Sequence, residues 1–219
     1  MKFIRNGLLE QEFYDRLQRE YWHEKPVGHL TELLYCLTRS WYDRYDPLEI
    51  TDREKMLFSI GFGLERVFLR DPGDGEPVSE VVDGVSMTED YISLTSDEGV
   101  DLKTTRMYAT LDGTPKMGWP ENWLKQFMAY ARKRGQLTYN VAIVYLGMPA
   151  LVCGTFVWTQ EELDANWSYI LNRSVIYNSY AGTDLVPPPF TFNASWECET
   201  KTSKCRYLER CRAVERGMK

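Results

Sequence analysis

The sequence predicts an α/β fold, and three observations carry that prediction. Helical stripes, with apolar residues three or four apart, take turns with short apolar runs of strand length. Capping boxes, glycines and prolines punctuate the boundaries between them. Finally, 219 residues suffice for one domain with a real core and leave little room for a second.

In chain order, the first helix is expected from Leu8 to Glu24, where Leu9, Phe13, Leu17 and Tyr21 recur at every fourth position. After Pro26-Val27-Gly28 a second runs from about Leu30 to Tyr45, burying Leu30, Leu33, Leu34, Leu37 and Trp41 and leaving Cys36 off that stripe. Thr51-Asp52-Arg53-Glu54 is a capping box, so a third helix begins near Asp52 and runs to about Arg70, its core side marked by Leu57, Ile60, Leu64 and Phe68. Glu65 lies beside that face one turn after Gly61, whose missing side chain leaves space above the carboxylate. Two hairpins follow. Asp83-Gly84 joins Glu80-Val82 to Val85-Met87 as a type I′ turn, and Ser96-Asp97-Glu98-Gly99 separates Tyr91-Leu94 from Val100-Leu102.

Met107 to Met117 reads as loop, and Pro120 opens a helix through Arg134 that Gly135 terminates. Its core stripe is Leu124, Phe127, Met128 and Ala131. The other stripe, Trp123, Gln126, Tyr130 and Lys133, is polar-aromatic and suited to bases and phosphates. Gln136 to Leu146 and Ala150 to Trp158 are apolar strands joined at Gly147-Met148-Pro149, with Cys153 read as a small buried hydrophobe. Thr159-Gln160-Glu161-Glu162 caps a helix to about Tyr177, with Leu163, Trp167, Ile170 and Leu171 inward. The stiff connector Val186-Pro187-Pro188-Pro189-Phe190 then delivers the cysteine-bearing tail.

Chemistry is expected on the second hairpin. Asp101 and Lys103 stand two apart, so a strand projects both from one face while Leu102 points into the opposite layer. Asp90 heads the partner strand and meets Asp101 if the register is right; Asp83 is the alternative acid, but the turn uses it. Two carboxylates and an ammonium on one sheet surface are costly to bury, and a divalent cation between the acids reverses that cost. Glu65 is the third candidate ligand.

A formal charge of −6 argues against non-specific coating of nucleic acid, yet the charge is uneven. From Asp71 to Asp101 the chain is crowded with acids and holds no Lys or Arg, whereas Glu121 to Arg134 and Cys198 to Lys219 are rich in bases. That pattern suits a metal-dependent enzyme acting on a polyanion. No apolar run approaches the roughly 20 residues that span a bilayer, and no signal-peptide core follows the first methionine, so a cytoplasmic protein is expected. Five cysteines in such a chain are metal ligands or buried thiols rather than disulfides. Cys198, Cys205 and Cys211, with Cys36, make up the four thiolates of a cubane cluster or a structural zinc. The C-x2-C pairs of zinc ribbons are missing, which favours iron-sulfur over zinc.

Taken in order, these parts resemble the iron-sulfur branch of the PD-(D/E)XK nucleases, namely the CRISPR-associated Cas-four exonucleases and the nuclease domains of the RecB and AddB type. The residues that carry the resemblance are the helix His29-Leu30-Thr31-Glu32-Leu33-Leu34-Tyr35-Cys36, the Gly-rich helix at Gly61, Asp90, Asp101-Leu102-Lys103-Thr104-Thr105, Gln126 with Tyr130, and the three-cysteine tail. They span nearly the whole chain. The resemblance implies a restriction-endonuclease-like core, a mixed central sheet flanked by helices, in a single domain 1–219. Residues 1–50 and 190–219 would together form an iron-sulfur clasp.

It further implies that Asp90, Asp101, Glu65 and the backbone carbonyl of Leu102 hold Mg²⁺ or Mn²⁺, and that Lys103 positions water or stabilises charge on the phosphate. Gln126 and Tyr130 would orient the scissile phosphate or the strand. Cys36, Cys198, Cys205 and Cys211 would hold a four-iron cluster in preference to a two-iron one, and Tyr207, Arg206 and Arg210 would line a single-strand path. Two positions depart from the family: Glu65 stands where a histidine is common, and the first tail cysteines are more widely spaced. The implied activity is a DNA exonuclease on single strands, working with CRISPR adaptation or recombination proteins. Against it stand a catalytically inactive nucleic-acid- or partner-binding module with a four-Cys metal site, and a zinc-stabilised interaction domain in which Asp101 and Lys103 are only a surface pair.

Overall fold

Apolar strands flanked by capped helices assemble here into a layered α/β structure. The computed structural model describes residues 27–69, 78–92, 99–188, 197–199 and 204–215, so the helix expected at residues 8–24 and the turn of the second hairpin lie outside the described residues. The helices are α1 (Leu30–Leu34), α2 (Leu37–Tyr45), α3 (Asp52–Leu69), α4 (Glu121–Lys133), α5 (Gln160–Tyr180) and α6 (Leu208–Glu215). The strands are β1 (Glu80–Val82), β2 (Val85–Met87), β3 (Tyr91–Ile92), β4 (Gly99–Thr105), β5 (Thr138–Tyr145) and β6 (Ala150–Val157).

β1 and β2 form a separate hairpin whose turn has both central residues at positive φ, Asp83 at 49° and Gly84 at 82°, as the Asp-Gly pair requires. The main sheet runs β3-β4-β5-β6 and is mixed. β3 and β6 are antiparallel to their neighbours, while β4 and β5 are parallel because the chain between them crosses back through α4. Asp101 pairs with Val141 and Lys103 with Ile143, so all four share one face. That face packs on α4 and α5 in a core that includes Phe127, Tyr130, Tyr145, Trp167 and Ile170. The opposite face is thinner: Leu102 and Ala142 meet Leu64 of α3.

Four local readings are corrected. The helix expected from Leu30 to Tyr45 is two helices, broken where Tyr35 and Cys36 are extended. Buried Arg173 of α5 donates to the carbonyls of Leu33 and Tyr35, taking up backbone groups that a continuing helix would have bonded itself. On α3, Leu57 and Phe68 are exposed rather than inward, and Leu64 makes the sheet contact. Cys153 is exposed, because β6 ends the sheet's order and its alternate side chains face outward. Lastly, Tyr207 is fully buried and does not offer a stacking surface to bases.

Tyr207 instead docks the tail. Its ring stacks on Tyr42 of α2 with centroids 5.1 Å apart, and its hydroxyl donates to Asp43 at 2.8 Å. Arg206 pairs with Asp43 and Glu54, and Arg210 with Asp46.

One glycine is fixed by space. A Cβ on Gly99 would lie 2.1 Å from Glu89 Oε2, 2.6 Å from the Tyr139 ring and 2.7 Å from Arg134 Nε. Gly99→Ala should therefore destabilise the fold by about 2–3 kcal/mol, the cost of overpacking a filled interior. A urea midpoint that stayed in place at unchanged slope would show that this approach is not tight.

Candidate active site

Three consecutive residues between β2 and β3 prepare the site. Thr88 offers its carbonyl to the Tyr130 hydroxyl at 2.6 Å and its own hydroxyl lies 3.2 Å from His29 Nε2. Glu89 is buried, and its carboxylate takes Lys133 Nζ and Arg134 Nε at 2.8 Å each and the Tyr139 hydroxyl at 3.1 Å. Asp90 accepts the Leu102 N–H on Oδ2 at 2.9 Å. That bond, with Tyr91 paired to Val100 and Ile92 to Gly99, brings Asp90 alongside the start of β4.

Asp101 has no solvent exposure, and Lys103 Nζ lies 2.5 Å from its Oδ2. The Lys103 ammonium is the donor that reaches Oδ2, and the other carboxylate oxygen, Oδ1, is buried with no hydrogen-bond partner. Burial pushes the Asp101 carboxyl up to about 7; Lys103 pulls against it, and the neighbouring charges of Asp90 and Glu65 add to the rise. For Lys103 burial works against the ammonium, but Asp101 and Asp90 outweigh it and hold the group above the ordinary lysine value. Its ammonium also lies 5.7 Å from the centroid of Phe127. A buried carboxylate with one oxygen unpartnered, beside two further acids, is a poor structural element. A cation supplies what it lacks.

Asp90, Asp101 and Lys103 thus come together, with Glu65 near enough to act on Asp101. Gln126 and Tyr130 sit behind them: Gln126 Nε2 donates to the Tyr130 hydroxyl at 3.0 Å, and both side chains are buried. Burial, with Asp101 and Asp90 nearby, drives the Tyr130 phenol well above its ordinary value, so it donates rather than ionises. The polar-aromatic stripe of α4 is therefore interior, not an open face for bases. Among the described residues no group of three or more His, Cys, Asp or Glu is gathered closely enough to hold a metal ion.

No disulfide joins any of the five cysteines. Cys36 is the residue before α2, and burial pushes its thiol up. The Cys205 N–H donates to the Cys198 carbonyl at 2.7 Å, and the Cys211 N–H to the Tyr207 carbonyl at 2.9 Å. The tail carrying three of the thiols is therefore anchored on the helix that the fourth begins, with no ready-made cage among them.

Glu89 and its partners were missed in the sequence. An acid directly before Asp90 and the Lys133-Arg134 pair at a helix end were visible, but their meeting depends on how α4 lies across the β2–β3 connector.

No family model and no curated protein matches the chain. Among solved structures it is similar to the crystal structure of SSO0001, at 13% identity and a TM-score of 0.46, over 78% of this chain and 88% of that one. It is also similar to an alkaline exonuclease, LHK-Exo, from Laribacter hongkongensis, at 9% identity and a TM-score of 0.39, over 76% of this chain and 87% of that one. At such scores neither likeness fixes an activity, and the functional reading has to come from the site itself.

Proposed function

We propose that this chain is a metal-dependent nuclease of the PD-(D/E)XK type that hydrolyses phosphodiester bonds of DNA. The observation that supports it is Asp101: fully buried, with Oδ2 held by Lys103, Oδ1 without a hydrogen-bond donor, and Asp90 and Glu65 close enough to act on it. These donors are of the oxygen type that Mg²⁺ or Mn²⁺ bind while retaining several waters. Asp101, Asp90, Glu65 and the Leu102 carbonyl would hold the ion. Bound there, it supplies Lewis acidity and lowers the pKa of a water molecule. Lys103 holds its proton and presents it to the oxygen on which charge develops. Asp90 uses Oδ2 to fix the Leu102 backbone. Tyr130 and Gln126 act from behind by holding the Thr88 carbonyl, which fixes the connector that carries Asp90.

The finer reading is an exonuclease on single-stranded DNA, of the kind that serves CRISPR spacer acquisition or recombination repair, with a four-iron cluster on Cys36, Cys198, Cys205 and Cys211. Its support is the docking of the cysteine tail on α2. Protein purified without oxygen should be brown, and Cys205→Ser should lose the visible absorption and the bound iron; colourless protein carrying zinc would remove the cluster from the proposal.

Degradation of end-labelled single-stranded DNA with Mn²⁺ or Mg²⁺ tests the nuclease. A folded protein that binds DNA and leaves it intact with every metal would replace this reading with the inactive binding module.

A further inference from the structure

We propose that Glu89 is a positioning residue whose clamp with Lys133, Arg134 and Tyr139 sets the place of Asp90, and with it the affinity of the Asp90–Asp101 pair for a divalent cation. The inference rests on the metal-site reading above. Glu89 and Asp101 are both buried acids, only Lys103 reaching the second, and their surroundings divide the labour between them. The Glu89 carboxylate, 2% exposed, receives three aligned donors, two of them cationic. The Asp101 carboxylate has Lys103 on Oδ2 and no donor on Oδ1. A carboxylate so fully satisfied has no need of a metal and serves as an anchor, while the unsatisfied one is left for the ion.

The anchor is set one residue before Asp90, and its partners come from two different elements. Lys133 closes α4 and Arg134 follows it directly; Tyr139 belongs to β5, the strand beside β4. Lys133 also reaches Glu80 of β1 at 2.8 Å, which ties in the hairpin that leads to the connector. Thr88 on the near side is held by Tyr130 and His29. Within the connector, therefore, Asp90 is aimed at Leu102 by a neighbour that cannot shift without giving up its bonds to Lys133, Arg134 and Tyr139. Gly99 shows how closely the clamp abuts β4: an added Cβ there would overlap Glu89 Oε2 first. Groups that orient metal ligands from behind commonly change affinity by 10–100-fold when removed.

The experiment measures Mn²⁺ binding to the full-length, metal-stripped protein by electron paramagnetic resonance, alongside cleavage over a range of Mn²⁺ concentrations. Glu89→Gln should weaken Mn²⁺ binding by roughly 10–100-fold. Half-maximal cleavage should move to higher Mn²⁺ in parallel, with kcat largely recovered at saturation. Because Glu89→Gln leaves Lys133 and Arg134 facing an amide, Tyr139→Phe provides a gentler variant. It removes one neutral donor and should weaken Mn²⁺ binding roughly threefold. Arg132→Gln, next to Lys133 on α4, breaks a surface pair with Asp164 of α5 and a cation–π contact with Trp167, and should leave the affinity unchanged. A clamp that is only structural would lower melting temperatures and leave the Mn²⁺ affinity of folded Tyr139→Phe and Glu89→Gln at the wild-type value, which overturns the inference. If wild type itself binds no Mn²⁺ and cuts nothing, the metal-site reading falls and the clamp falls with it.

Discussion

Lys103→Ala should cleave end-labelled single-stranded DNA roughly a hundred- to a thousandfold more slowly than wild type at saturating Mn²⁺ if the proposed site is the place of reaction, the usual cost of removing one charge-stabilising donor from a closed site. Asp101→Ala loses at least as much, because it removes a ligand as well as the partner of Lys103. The two effects should not add, since the side chains act as one unit 2.5 Å apart; the double variant should be little worse than the more severe single one. Single-turnover cleavage measures all three. Retention of wild-type rates in Lys103→Ala would rule out this site as the place of reaction, whatever nuclease activity the protein showed.

The second large effect is on stability, and it has an unusual sign. Burial lifts Asp101 to about 7, so the folded protein keeps a proton that the unfolded chain releases near pH 4. Asp101's own contribution to the stability of the metal-free protein is therefore whole below pH 4 and is lost as pH rises from about 4 to about 7. The difference between wild type and Asp101→Asn should change by roughly 2–4 kcal/mol in favour of the variant across that window, because the amide does not ionise. Saturating Mn²⁺ at pH 8 should then restore wild type by about 2.7 kcal/mol at a hundredfold excess over its dissociation constant, and leave Asp101→Asn where it was. Chemical unfolding in EDTA at pH 4, 6 and 8, repeated with Mn²⁺, reads every part of this. A wild type that loses nothing relative to Asp101→Asn between pH 4 and 8 would mean that its carboxylate is not starved of donors.

Much of the fold was legible because local signals and tertiary packing agree. The Thr159 capping box forms as expected, with Glu162 returning the bond, and Asp83-Gly84 makes the turn its backbone preferences demand. The pairing of Asp101 with Lys103 followed from strand alternation alone. What stayed hidden was set by residues far away in sequence. Nothing in Leu34-Tyr35-Cys36 breaks a helix by itself; Arg173, 138 residues beyond Tyr35, does it by competing for the carbonyls. The stripe of Gln126 and Tyr130 looked solvent-facing because both carry polar groups, and it is interior because each of those groups finds a buried partner. Glu89 escaped notice for the same reason: a cluster of compensating charges leaves no pattern along the chain.

The docking of the tail on α2 bears on the order in which the molecule can be made. Tyr42 has been synthesised long before Tyr207, the ring that covers it, and the Asp43–Tyr207 bond joins residues 164 apart. On the ribosome α2 must wait, with an aromatic surface uncovered, until the segment around Tyr207 emerges. A chain cut a few residues before Tyr207 would carry Glu65, Asp90, Asp101 and Lys103 and still leave that surface open, so closing the fold over α2 falls to residues far from the proposed metal site.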